Sequence, residues 1–217
     1  HKLADRWSAF SQYATSFEAP TFTEFANPAG SGFRPGLEPQ TSRSFELGLR
    51  GQLDSLRLEA SLFTVRVQDE IIVDDDPIDP DTGIAPDDER TFYRNADRTR
   101  RDGLELGGRW WPNALPQMQL SGALTWMDAR FDDDTNNKLP GLPDITAFID
   151  AEYGFQQGYF TGLTVQHIGS RFADDANNVE VASQTVTDLR LGRIITSTGY
   201  DTRLVLGIEN LFDTQYL

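Results

Sequence analysis

The chain has 217 residues, with 34 Asp and Glu against 19 Lys and Arg, a formal net charge of −15. An acidic balance of that size argues against a nucleic-acid binder, which needs a basic face to track phosphates. With no cysteine and two histidines, a disulfide framework, thiolate metal sites and a cysteine nucleophile are excluded, and material for a histidine-ligated metal or a serine triad is scarce.

No apolar run reaches the roughly 18 residues that a transmembrane helix requires. A transmembrane β-strand needs only about 10 residues, half of them polar, so hydropathy does not exclude the membrane. The eleven prolines cluster at 20–39, 77–86, 112–116 and 140–143. Proline cannot donate to a sheet ladder, so these clusters mark connections.

Between them the apolar residues recur every second position. In chain order this predicts about nine strands: 5–17, 42–50, 55–72, 91–111, 117–131, 144–154, 159–172, 183–194 and 202–213. In the third, Leu56, Leu58, Ala60 and Leu62 alternate with Arg57, Glu59 and Ser61. The apolar set then moves to Phe63, Val65 and Val67, which predicts a β-bulge near Leu62. The fifth is the clearest: Met118, Leu120, Gly122, Leu124 and Trp126 share one face and Gln119, Ser121, Ala123 and Thr125 the other. A helix would scatter those residues around its circumference. No segment has a helical period, and the fold class is all-β.

Long connections (18–41, 73–90, 132–143, 173–182) alternate with short ones (51–54, 112–116, 155–158, 195–201). In an antiparallel meander this puts long loops at one end and tight turns at the other. Such strands exceed the soluble mode of about 5–6 residues. Together with aromatics near strand ends, they point to an antiparallel transmembrane β-barrel. Trp110, Trp111, Tyr153, Phe155, Tyr159 and Phe160 are expected as one interfacial girdle, and Phe17, Phe92, Tyr93, Phe131 and Phe172 as the other. A soluble β-sandwich shares the two-sided alternation.

Four segments resemble motifs of the TonB-dependent outer-membrane receptors. They are Tyr13-Ala14-Thr15-Ser16-Phe17-Glu18-Ala19-Pro20, the run from Pro39 to Gly51 centred on Phe45-Glu46-Leu47-Gly48, Tyr93-Arg94-Asn95-Ala96 with Arg101-Asp102-Gly103-Leu104-Glu105, and Asn210-Leu211-Phe212-Asp213 with Tyr216. They stand in the family's order across nearly the whole chain.

The resemblance implies a barrel of about 22 strands with a plug in its lumen. About nine strands are read here, and no plug, signal peptide or TonB box. The chain is therefore expected to be an internal piece of the C-terminal barrel half, residues 1–217 forming part of one barrel domain. The resemblance further implies uptake rather than catalysis: a scarce ligand, foremost a ferric siderophore, is bound at extracellular loops and imported with energy from the TonB complex. A diffusion porin or barrel adhesin without plug, and a soluble β-sandwich lectin or hydrolase, stand as alternatives.

The candidate site residues lie near the long loops. An anionic iron chelate suits guanidinium forks and aromatic planes, which nominates Arg94, Arg98, Arg100, Tyr93, Phe17, Phe33 and Arg34. The competing reading is that the arginines neutralise the acidic loop above them. That loop carries ten carboxylates between 69 and 90. Within it Asp75, Asp79 and Asp81 form a weak candidate for Ca²⁺, lacking the glutamate of an EF-hand. Carboxylates here and at Asp132–Asp134 and Asp174–Asp175 could also hold the divalent ions that bridge lipopolysaccharide. Outer-membrane lipid and lipopolysaccharide are thus expected partners, with no intrinsic cofactor. Glu46 and Glu105 are expected to face the lumen and pair with Arg50, Arg109 or Arg190, and His167 to be a lone polar or interfacial side chain.

Overall fold

The computed structural model describes residues 2–4, 6–25, 36–74 and 91–215. Period-2 alternation becomes one antiparallel meander: β1 (Lys2–Ala4), β2 (Trp7–Glu18), β3 (Gln40–Gln52), β4 (Leu56–Val73), β5 (Tyr93–Trp110), β6 (Met118–Phe131), β7 (Ile145–Gly154), β8 (Tyr159–Ile168), β11 (Gln184–Ser197) and β12 (Tyr200–Ile208). Each strand pairs with its predecessor in a ten-stranded sheet that is open among the described residues. A two-stranded pair, β9 (Arg171–Phe172) with β10 (Glu180–Val181), and a one-turn helix, α1 (Phe22–Phe25), sit in the connections.

All nine expected strands are present. The long 159–172 strand is shorter than expected. β8 stops at Ile168, Gly169 donates to the Ile145 carbonyl at 2.8 Å, and β9 leaves the sheet to pair with β10. The last strand also ends early, at Ile208. Asn210 adopts φ 51° and folds Asn210–Asp213 into a turn instead. Its carboxamide accepts from the Thr214 amide (2.8 Å) and donates to the Thr214 carbonyl (3.0 Å).

The bulge expected near Leu62 is absent. β4 pairs without interruption past Leu62 on both sides. The alternation breaks instead at Asp69, which has φ 56° and stands where the β4–β5 ladder skips one pair. Below it, Thr99 and Arg101 share a face that Gln68 and Arg98 do not. Beyond it, Glu70 turns to that face and binds Arg101 (2.6 and 3.1 Å) and Thr99. Phe63, Val65 and Val67 simply continue the face that carries Arg57 and Glu59.

Register sorts the sheet into two sides, because residues directly opposite each other share a face. One side carries rows such as Leu47–Leu62–Leu104–Trp126 and Leu49–Ala60–Leu106–Leu124. On later strands it continues through Ile149, Val165, Leu163, Leu191 and Leu206. These residues have no second layer over them. Ile149 is 60% exposed and Leu206 68%. A sandwich would bury this face, so its solvent is the lipid.

The other side is polar and holds cross-strand ion pairs. Arg50 binds Glu59 at 2.9 Å. Arg190 binds Asp150 at 2.6 Å and Thr164 at 2.5 Å. Arg203 binds Glu152 at 2.6 Å and stacks on Phe160. This is the lumen face. The buried apolar cluster is small and sits near the long loops: Ala96, Ala129, Phe131 and Leu139.

The girdles follow this division. At the tight-turn end Trp110, Tyr153, Phe155 and Tyr159 face lipid, and Tyr153 packs edge-on against Phe155 with centroids 5.0 Å apart. Trp111 instead lies within 6 Å of the lumenal Arg57 and Arg109, and Phe160 is buried. At the other end Phe92 and Phe131 are buried rather than interfacial. Phe17 is exposed there as expected, together with Tyr13, Phe45 and Trp126.

Candidate functional site

The rim of the sheet at the long-loop end is built by two connections that brace each other. In the β6–β7 connection the Asp133 carboxylate accepts from the Thr135 hydroxyl (2.6 Å) and the amides of Thr135 (2.9 Å) and Asn136 (3.1 Å). In the β8–β11 connection Asp174 accepts from the amides of Asn178 (3.0 Å) and Val179 (2.8 Å). These bonds stabilise the ionised form. They hold both carboxyls below the ordinary carboxylate range, through the Thr135 hydroxyl for Asp133 and the Val179 amide for Asp174. Asn177 then bridges the loops: its side chain accepts from the Lys138 amide (2.7 Å) and donates to the Lys138 carbonyl (2.9 Å). Asn137 donates to the Asp175 carbonyl at 2.9 Å.

Against this braced pair stands Arg94, on the β5 segment beyond the Asp69 break. Its guanidinium binds Asp175 at 2.5 Å, approaches Asp74 at 3.7 Å, and lies 6.0 Å from the centroid of Phe131. Asn95, Arg98, Asp133, Thr135 and Asn137 line the same cleft. The arrangement offers one half-screened cation, an aromatic plane and several amide and carboxylate groups at the lumenal rim.

The structure brings together only part of the nominated set. Arg94 and Arg98 line the rim cleft, Arg98 exposed, and the half-buried Tyr93 is not among the residues that line it. Arg100 lies further down the strand on the outward face, where it binds Asp102 (3.4 Å) and Asn136 (3.0 Å). Phe17 also points outward, opposite Thr41, and is 68% exposed. Phe33, Arg34, Asp75, Asp79 and Asp81 lie outside the described residues. Asp175 was legible as one of an acidic pair, but its role as partner of Arg94 needed the tertiary contact. Among the described residues no group of three or more His, Asp or Glu is placed to hold a metal ion.

The lumenal glutamates depart from expectation. Arg50 pairs with Glu59 and Arg190 with Asp150, while Arg109 stacks on Trp111. Glu46 and Glu105 instead line a shallow groove beside Gln12 and Phe63. His167 is on the lipid-facing side, in hydrogen-bond contact with Thr185 at 2.9 Å.

A family model described as TonB dependent receptor-like, beta-barrel, matches residues 1–211, and the chain belongs to that family. It is 23% identical over 216 residues to the metal-pseudopaline receptor CntO of Pseudomonas aeruginosa, covering 95% of this chain and 27% of that protein. It is 23% identical over 204 residues to the vitamin B12 transporter BtuB of Vibrio vulnificus, covering 93% and 30%. The solved structure of the ferric citrate transporter FecA superposes with a TM-score of 0.77 at 21% identity, covering all of this chain and 32% of that one. The chain thus spans about a third or less of the length of these relatives. Its sheet is part of a barrel wall of the bacterial outer membrane, in a family of transport receptors rather than enzymes. The soluble-sandwich alternative falls with that assignment.

Proposed function

We infer that the whole protein is a TonB-powered importer of an anionic metal chelate, most simply a ferric siderophore. Two of the three relatives named above carry a metal complex in their descriptions, pseudopaline-bound metal and ferric citrate. The observation in this chain that carries the reading is Arg94: a guanidinium at the lumenal rim, beside Phe131, held by acidic partners that an incoming anion can displace. The polar lumen wall below it supplies a path lined with ion pairs rather than with apolar residues. Energy would come from the inner-membrane TonB complex through a plug.

The test is growth of a strain lacking the gene under iron starvation, with defined ferric siderophores and with cobalamin supplied in turn. Loss of growth on one ferric chelate, restored by the wild-type gene and about tenfold less efficiently by Arg94→Gln, supports the reading. Unchanged use of every ferric complex, with lost cobalamin uptake, moves the assignment to a corrin.

A further inference from the structure

The outward face of the sheet carries one row unlike the others. Register places Arg43 opposite Arg66, Arg66 opposite Arg100, and Arg100 opposite Arg130, so four consecutive strands each present an arginine at the same level. The row below reads Phe45–Thr64–Asp102–Asp128, and the next is the apolar Leu47–Leu62–Leu104–Trp126. From Trp126 down to Met118 the lipid-facing residues are apolar or glycine. Those nine residues rise about 27 Å along the strand and about 20 Å across a bilayer at barrel tilt. The arginines therefore stand at the upper edge of the hydrocarbon, on the long-loop side, and face sideways into the headgroup layer.

Like charges directly opposite each other destabilise a sheet, so the row needs an explanation. Internal pairing supplies half of one. Asp102 takes Arg66 through two bonds (2.9 and 3.1 Å), and Asp128 takes Arg130 at 2.7 Å. Arg100 shares both carboxylates at 3.4 and 3.8 Å. Arg43 makes no ion pair among the described residues and is exposed. Four guanidiniums against two carboxylates leave about two positive charges at this level, on a chain that is otherwise strongly acidic.

We propose that the row Arg43–Arg66–Arg100–Arg130 binds the phosphate groups of lipopolysaccharide, the anionic lipid of the outer leaflet. A soluble anion has no reason to be met on a surface that faces the membrane sideways. A membrane-anchored phosphate lies at this height, and guanidinium forks match its oxygens in pairs. The aromatic edges of Tyr13, Phe45 and Trp126 stand just below, at the level of the lipid's sugar–acyl junction. The arginines thus do for the lipid what bridging divalent cations do elsewhere in that leaflet, and tether it to β3–β6. The site is independent of whichever ligand is imported.

The test uses the full-length receptor purified in a neutral detergent. Binding of bisphosphorylated lipid A, of its dephosphorylated form and of inorganic phosphate is measured by native mass spectrometry and titration. The wild type is expected to retain the bisphosphorylated lipid, and Arg43→Gln/Arg66→Gln to bind it about tenfold more weakly, with the dephosphorylated lipid unaffected. Asp102→Asn, which frees Arg66, is expected to tighten binding. Folding of each variant is read from its heat-modifiable migration. Arg43→Gln alone, which breaks no ion pair among the described residues, decides the matter if the double variant does not fold. Equal affinity of wild type and Arg43→Gln, equal retention of the dephosphorylated lipid, or full competition by millimolar phosphate would overturn the proposal.

Discussion

The two faces of this sheet hold their charges by different rules. On the lumen side, Arg50–Glu59, Arg190–Asp150 and Arg203–Glu152 pair nearly one to one and occur at many levels along the strands. On the outward side, from β3 to β6, charge is confined to the rows nearest the long loops, and arginine outnumbers aspartate there. The physical cause is the neighbouring solvent. A lumen wall meets water or other polar groups at every depth, so a charge anywhere on it can be satisfied. The outer wall meets hydrocarbon over roughly 25 Å, where an arginine or lysine costs about 2–4 kcal/mol. Charges on that wall must collect beyond the hydrocarbon, where the headgroups that satisfy them are anionic.

The sharpest way to break this contrast is to exchange charge between the faces in the full-length protein. Leu106→Arg places a guanidinium at mid-band on the lipid side and is expected to cost about 2–4 kcal/mol, read from reversible unfolding in lipid vesicles. The neighbouring Glu105→Arg, one residue away on the lumen side, is expected to change stability by less than about 1 kcal/mol. Equal costs would erase the distinction between the faces. A smaller effect sharpens the lumenal half. Asp150→Ala strands Arg190 and the Thr164 hydroxyl and is expected to cost about 1–3 kcal/mol in the same measurement, whereas replacing Asp150 by Asn should cost less.

The turns are the control region, since they obey backbone rather than solvent rules. Gly158 closes the β7–β8 turn at φ 79°, and a Cβ there would stand 2.2 Å from the Ile194 carbonyl oxygen. Gly158→Ala is expected to destabilise the hairpin by about 1–3 kcal/mol, visible as faster hydrogen exchange at Tyr159. The mildest effect concerns the loops. The lowered carboxyl pKa values of Asp133 and Asp174 mean that their stabilisation is present above the ordinary value of about 3.9 and is lost as pH falls through the depressed native one. Exchange protection of the Asn136, Asn178 and Val179 amides is therefore expected to track intrinsic rates from pH 7 to about pH 4.5 and to fall only below about pH 4.

Much of the wall was legible in the residues themselves. Met118 to Trp126 could only be a two-sided strand, and the lopsided connections fixed which end carries the loops. Other features were not. The apolar set from Phe63 to Val67 mimicked a bulge, because β4 keeps apolar residues on its inward face there, with Phe63 lying over Gly103, while its outward face turns polar at Thr64 and Arg66. The real break, at Asp69, leaves no hydropathy mark, being a single residue with positive φ. Of the nominated site, Arg94 and Arg98 line the rim cleft, but Arg100 does not, because it stands further down the strand on the outward face, opposite Arg66 and Arg130.

The sequence by itself determined that the chain alternates across two solvents and which residues face each, because side-chain direction in a strand follows parity alone. It did not determine which residues meet across strands. Arg43, Arg66, Arg100 and Arg130 are spread over four strands and three connections, and nothing local makes them neighbours. Their level depends on the stagger between strands, which hydrogen-bond register sets through the whole sheet. Only the assembled sheet puts them in one row.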